Sequence, residues 1–284
     1  MDPIAAILPC GTRLHLQHGP IDLIIGADGA RNDAFAIATE RFSSILSELV
    51  GELDVLREPV GAVVYGETAA RMRTATLPLS AQFITPMAAV AGAVADTVLA
   101  AMVSGTTLRR AYVNNGGDIA VHLTADTTFS AQIAALDSHD AGRITLTGGD
   151  GIGGIATSGR GGRSLSMGIA DNVTVLARTA ASADAAATLI ANHVDLPGHQ
   201  AIMRAPACDL RDDTDLGNQM VVTGCGPLSR FDRMTALTAG AEFAETLRAT
   251  GHIYAACLML QGTAVQTRQP AAHMTQKEDH LCLT

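Results

Sequence analysis

The chain has 284 residues, of which 48% are hydrophobic, 17% charged and 3% aromatic, and its formal net charge is -9 at pH 7. That length and apolar content can bury a large core, as one domain or as two closely packed halves. The acidic balance, with three Tyr and no Trp, excludes the basic, aromatic-rich surfaces that grip nucleic acid. No apolar run reaches the roughly 18 uninterrupted residues of a membrane helix; the nearest, 87–103, is broken by Asp96.

The first ten residues contain Ala-Ile-Leu-Pro-Cys, close to a lipoprotein cleavage site, but they lack a basic start and a long apolar segment, and Pro9 stands where a small residue belongs. A cytoplasmic protein is expected. Residues 13–26 alternate as two strands about a turn at Gly19-Pro20. From Asp33 to about Arg57 the spacing predicts one long amphipathic helix. Phe35, Ala38, Phe42, Ile45, Leu49, Leu53 and Leu56 recur every three or four residues, and Pro59 stops the run. Glu40, Arg41, Glu48 and Glu52 read as its solvated face.

A second helix is expected from Thr85, as N-cap with Pro86 at the first helical position, to just before Gly105. Its Ala and Gly residues let another backbone or a flat ligand pack directly against it. Its first N–H groups, at 85–89, form a candidate anion contact. Two short apolar runs then flank Asn114-Asn115-Gly116-Gly117-Asp118. The two glycines permit a tight reversal or a close approach to a ligand, so hairpin turn and ligand turn both stay open.

Strands follow at 129–135 and 143–146, then a glycine-dense stretch in which Gly149, Gly151 and Gly154 formally satisfy G-x-G-x-x-G. A dinucleotide fold is excluded because Ile155-Ala-Thr-Ser-Gly does not open a helix. Neither a P-loop nor a G-x-S-x-G elbow occurs. The stretch reads as a loop leading into Ala156-Thr157-Ser158-Gly159, whose hydroxyls either meet a phosphate or cap a turn. A buried strand at 173–177 precedes a helix at 183–192 with Ser182 as its cap. On that helix Asp184, Thr188 and Asn192 stand four apart and share a face. Oxygens at this spacing suit a hard cation such as Mg2+; the alternative is that Asp184 reinforces its own helix cap and Thr188 bonds back within the helix.

The last third holds an acidic loop at 212–217, a strand at 220–223, a helix at 229–249, a strand at 253–261 and a polar tail at 262–284. Without a linker rich in Pro or Ser, residues 1–261 read as one integrated α+β domain of antiparallel sheets packed with several helices. Cys10, Cys208, Cys225, Cys257 and Cys282 are scattered, without ligand spacing, and are expected to be reduced and mostly buried. Lys277 is the one lysine among 19 basic residues, so Schiff-base chemistry and a phosphate-gripping lysine are unavailable to the folded body.

Taken in order, Gly92 and Asp96 on the Ala-rich helix, Val113-Asn114, Gly116-Gly117-Asp118, Ala156-Thr157-Ser158-Gly159, Val173-Thr174-Val175 and Ala183 to Thr188 resemble the motifs of the ApbE family, the FAD:protein FMN transferases. A fuller likeness, spanning nearly the whole chain, is to a prokaryotic family of unknown function related to ApbE. It rests on T-P-M-A-A-V-A-G-A-V-A-D at 85–96, S-L-S-M-G-I-A-D at 164–171, D-T-D-L-G at 213–217 and G-P-L-S at 226–229. The resemblance implies an ApbE-like fold. It also implies FAD or FMN as cofactor, contacted by Asn115, Gly116, Gly117, Asp118, Thr157 and Ser158. Mg2+ would be held by Asp184 and Thr188, with a backbone carbonyl near 88–90.

Two departures accompany it. Ala91 stands where ApbE enzymes carry the lysine of A-K-G, and residues 164–171 replace their H-x-x-D-P-[RK]-T-G segment. No catalytic residue is assigned. The expected partner is a small-molecule ligand, with no nucleic acid and no membrane, and self-association into a homo-oligomer is left open. Three functions compete: an ApbE-type transferase of FMN or a phosphoryl group, a non-catalytic cofactor-binding protein, and an enzyme on the same scaffold for another phosphorylated or carboxylated metabolite.

Overall fold

The computed structural model describes residues 2–134, 140–162, 164–267 and 274–276. The alternation at 13–26 forms β2 (Arg13–His18) and β3 (Ile21–Gly29), with Leu14, Leu16, Leu23 and Ile25 buried. Ahead of them lies β1 (Ile4–Ile7), which sequence reading passes over because all four residues are exposed and show no buried face. The long helix is interrupted: α1 (Arg31–Gly51) ends at Glu52 and α2 (Leu53–Leu56) follows. Glu52 is therefore not part of a solvated face. Its carboxylate accepts the N–H groups of Tyr65 and Gly66, both at 2.7 Å, at the start of an unanticipated helix, α3 (Glu67–Thr76).

Thr85 is extended, and Pro86–Ala89 is a 3-10 turn from which α4 (Val90–Gly105) continues. The Thr85 hydroxyl caps nothing; it donates to Asp215 of the acidic loop at 2.5 Å. By length and composition Pro86–Gly105 could cross a membrane, but more than half of it is buried in the protein core. The Asn-Gly-Gly hinge is a hairpin between β4 (Leu108–Asn115) and β5 (Asp118–Leu123), with Gly116 at φ +66 and Gly117 at φ +115.

After β6 (Thr128–Ala134) and β7 (Asp140–Thr147), the glycine-dense loop expected to lead into Ala156-Thr157-Ser158-Gly159 gives way to a strand, β8 (Gly154–Ser158), paired with β9 (Asn172–Ala177). The next helix, α5 (Ala180–His193), starts earlier than expected. Its cap is Thr179, whose hydroxyl accepts the Ser182 N–H at 3.1 Å, so Ser182 lies inside the first turn. A hairpin of β10 (Ile202–Pro206) and β11 (Met220–Cys225) leads to α6 (Arg230–Ala249), capped by Ser229, and to β12 (Ala255–Leu260). Part of the segment read as a tail is strand: β13 (Thr263–Gln266) pairs with β12, and β14 (Met274–Gln276) pairs with β7. Of the four cysteines described, none is in a disulfide, but only Cys257 is buried and Cys10 is exposed, which corrects the expectation of mostly buried thiols.

The main sheet has nine strands in the order β1-β2-β3-β4-β5-β8-β9-β12-β13, antiparallel throughout. The helices lie along one face in matching order, α1 against β2 and β3, α4 against β4 and β5, α5 against β8 and β9, and α6 against β12 and β13. On the opposite face Val121, Ile155, Leu176 and Cys257 bury a second core with Ile144 and Leu146 of the three-stranded sheet β14-β7-β6. At the centre, α4 and α5 approach through backbone. A Cβ on Gly92 would stand 2.3 Å from the Ala180 carbonyl oxygen, and one on Gly154 2.2 Å from the Ala180 nitrogen. The small residues of this region are thus required by packing.

Candidate functional site

The first turns of α4 and α5 meet with their N–H groups unsatisfied by their own helices, and each is closed by a carboxylate from the other. Asp96 on α4 accepts the N–H of Ala180 at 3.1 Å and of Ala181 at 2.9 Å. Asp184 on α5 accepts the N–H of Gly92 at 3.0 Å and a further backbone bond from Ala91. The two positive helix ends are neutralised reciprocally. Asp184 therefore does cap a helix, but it is the neighbouring one. Of the N–H groups near the anion contact expected at 85–89, Pro86 has none, that of Ala88 goes to the Thr85 carbonyl and that of Val90 to the Met87 carbonyl, while Ala91 and Gly92 serve Asp184.

The hinge is tied to the same place. Asn115, buried, donates from Nδ2 to the Ala91 carbonyl at 3.1 Å. The Gly117 N–H donates to Asn114 Oδ1 at 2.8 Å, which holds the turn. Asp118 Oδ1 accepts the Thr157 N–H at 3.2 Å, linking β5 to β8. Strand alternation then sorts the remaining side chains. Asp118 lies on the helix-facing side with Ala120, and Ser158 with Ala156, both alanines belonging to the main core. Thr157 alternates to the other side, where its hydroxyl pairs with that of Thr174 at 3.0 Å. The structure thus brings Asn115, Asp118 and Asp184 together, with Thr188 one turn along α5 and Ser158 on the helix-facing side of β8, while Thr157 contributes its backbone rather than its hydroxyl.

Electrostatics set this place apart. The Asp184 carboxyl is held well above the usual range, first by burial and then by the negative charge of Asp118, against the pull of the Gly92 and Ala91 N–H groups. Asp184 lies deep among protein atoms and still keeps part of its surface open to solvent. Asp96 is pushed up to about 6 by burial, opposed by the N–H groups of Ala181 and Ala180. Asp184 and the neighbouring Asp118 charge that raises its proton affinity, with a hydroxyl one turn along α5, offer oxygen donors alone. Among the described residues no group of three His, Cys, Asp or Glu could hold a metal. The donor chemistry fits a hard cation such as Mg2+, completed by neutral oxygens, rather than zinc.

The polar stripe of α5 is divided. Asn192 Oδ1 accepts the Met167 N–H at 3.1 Å, so its carboxamide serves the 164–171 segment about 12 Å along the helix from Asp184. That segment packs on the far end of α5, where a Cβ on Gly168 would stand 2.0 Å from the Ala191 carbonyl oxygen. Its last residue, Asp171, accepts from Arg160 and from the N–H of Gln261, and the Gln261 side chain bonds the Gly226 carbonyl at 2.8 Å and the Leu228 N–H at 2.9 Å. The motifs at 164–171 and 226–229 are thereby knit together away from the carboxylate pair. The role of Asp96 escaped sequence reasoning, although a lone carboxylate in an Ala-rich buried helix is a signal that it has partners.

A family model described as AbpE bacteria matches residues 5–267. A UPF0280 protein of Methanopyrus kandleri is 45% identical over 109 residues, which cover 38% of this chain and 42% of that protein. A UPF0280 protein of Methanothermobacter thermautotrophicus is 36% identical over 156 residues, 52% of this chain and 59% of its own length. The chain spans about half the length of the curated relatives it matches. Among solved structures, the ApbE protein of Thermotoga maritima superposes with a TM-score of 0.53 at 12% identity, over 94% of this chain and 96% of that one. The two share a fold.

Proposed function

The chain belongs to the AbpE bacteria family, an ApbE-related group with the ApbE fold, and from that premise we propose that it binds a phosphate-bearing flavin or nucleotide together with Mg2+. The proposed site is the place where α4, the Asn115–Asp118 turn and α5 meet, with Ser158 on the same side of the sheet. The observation that carries this reading is geometric: Asp184 reaches the Gly92 N–H at 3.0 Å on the same first turn of α4 whose Ala91 carbonyl holds Asn115 at 3.1 Å, with the Asp118 charge acting on Asp184. A phosphate has little reason to approach two carboxylates whose nearby helix N–H groups are already used, unless a divalent cation comes with it. Asp184 and Thr188 are the residues that would hold that cation, beside the carbonyls of the 3-10 turn. When bound, it would neutralise phosphate charge and supply Lewis acidity at a transferred group.

The chain's own residues have distinct tasks in this reading. Asn115 fixes the first turn of α4 through Ala91, and Gly116 and Gly117 keep a side-chain-free backbone beside the ligand. The Thr157 N–H orients Asp118. FMN or phosphoryl transfer is the enzymatic form of the proposal. A second reading, retention of the cofactor without turnover or action on another phosphorylated or carboxylated metabolite, is favoured by Ala91 at the ApbE lysine position and by the packing of 164–171 away from the site.

Thermal unfolding with FAD, FMN or ATP, with and without Mg2+, in wild type and Asp184→Ala tests the binding claim. A ligand at 100 times its dissociation constant should stabilise by about 2.7 kcal/mol. FAD or FMN stabilising only with Mg2+, and only in wild type, is the expected result. If no nucleotide or flavin moves the melt, the site serves a different ligand class.

A further inference from the structure

We infer that Asp96 is the positioning residue of this site: by binding the first turn of α5 from within α4, it fixes Asp184 and Thr188 relative to the 3-10 turn and Asp118. The inference rests on the metal reading given above. Asp184 lies one turn below Ala180 and Ala181, the two residues whose N–H groups Asp96 accepts at 3.1 and 2.9 Å. Any rotation or slide of α5 moves Asp184 against Gly92, which it reaches at 3.0 Å, and against Asp118. At Gly92 the two helices meet through backbone, since a Cβ there would stand 2.3 Å from the Ala180 carbonyl oxygen. Thr179 also caps α5, but through Ser182 alone, and so acts within one helix. Asp96 and Asp184 both span the two helices, and of the two Asp96 is the one outside the proposed cation ligands.

The test is Mn2+ binding, followed by electron paramagnetic resonance of the free ion, in wild type, Asp184→Ala, Asp96→Asn and Thr179→Ala. In Asp96→Asn one oxygen is replaced by an amide that opposes a backbone N–H. Loss of such an outer partner should weaken Mn2+ roughly tenfold to a hundredfold. Thr179→Ala should lower the melting temperature and leave Mn2+ affinity at the wild-type value, a split that a merely structural role for Asp96 would not produce. Equal Mn2+ affinity in wild type and Asp96→Asn overturns the inference while leaving the metal site standing. No Mn2+ binding in wild type removes the metal reading and this inference with it. Should Asp96→Asn fail to fold, hydrogen exchange of the wild-type protein decides. Added Mg2+ must slow exchange at Ala180 and Ala181, and unchanged exchange there overturns the clamp.

Discussion

Asp96 and Asp184 each cap the helix on which the other stands. The arrangement makes one unit of two helices whose positive ends would otherwise face each other unneutralised, and it places a buried carboxylate, Asp96, beside a partly buried one, Asp184, in the middle of the fold.

The first consequence is a pH dependence of stability. Burial raises Asp96 from the ordinary aspartate value of 3.8 to about 6, so between those values the native state holds a proton that the unfolded chain has lost. Stability from this group is therefore present below about pH 4 and falls as pH rises through about 6, by about 3 kcal/mol for the full shift. Asp184, raised as well, acts in the same direction. Urea unfolding of wild type and Asp96→Asn between pH 4 and 7 checks this. The variant should show a flatter profile in that window, and parallel profiles would contradict the assignment.

Gly92→Ala should be among the most damaging single-methyl additions in the protein. Its Cβ would meet the Ala180 carbonyl oxygen at 2.3 Å, a backbone atom that cannot rotate away. Separation of the helices by even a few tenths of an ångström loosens both reciprocal caps. A loss of about 1–3 kcal/mol is expected from overpacking, read as a lower denaturation midpoint with an unchanged denaturant slope.

Asp118→Asn isolates the interaction between the two site carboxylates. The amide can still accept the Thr157 N–H but no longer repels Asp184. The Asp184 pKa should fall toward the ordinary carboxylate range without reaching it, because burial is its larger cause. A carboxylate-resolved NMR titration of both proteins measures the change. An Asp184 titration unmoved by the substitution would mean that Asp118 is too distant to share a ligand with it.

The sheet and the helices over it were legible wherever one face is buried and the other is not, as in β2, β3, α1 and α6. The hinge and the Asp184 helix were legible through Gly, Asn and Asp at positions where turns and ligands need them. What was hidden had no periodicity to betray it. Four exposed residues form β1, and α3 carries a polar sequence whose start is specified by Glu52, at the break between α1 and α2. The reciprocal caps were hidden for a different reason. Asp96 and Ala180 are far apart in sequence, and a carboxylate on one helix gives no hint of which distant N–H groups it closes. The same limit applies to the Ala-Thr-Ser-Gly run. Its hydroxyls look equivalent until pairing with β9 turns Thr157 toward Thr174 and leaves Ser158 on the helix side.

The stripe of Asp184, Thr188 and Asn192 supplies the last prediction, because one spacing rule grouped residues that the fold has separated. Asn192 holds the Met167 N–H of the 164–171 segment. Asn192→Ala should therefore lower stability by about 1–2 kcal/mol, the cost of a partly buried donor left without its acceptor. It should not change the Mg2+-dependent shift produced by a bound nucleotide or flavin. Thr188→Val, which keeps the branched shape and removes the hydroxyl, should do the opposite, with stability within about 0.5–1 kcal/mol of wild type and a weakened Mg2+ requirement. Denaturant midpoints and ligand-induced melting shifts on both variants separate the two effects. If Asn192→Ala abolished the Mg2+ dependence and Thr188→Val left it intact, the cation would have to sit at the far end of α5, beside 164–171, and not at Asp184.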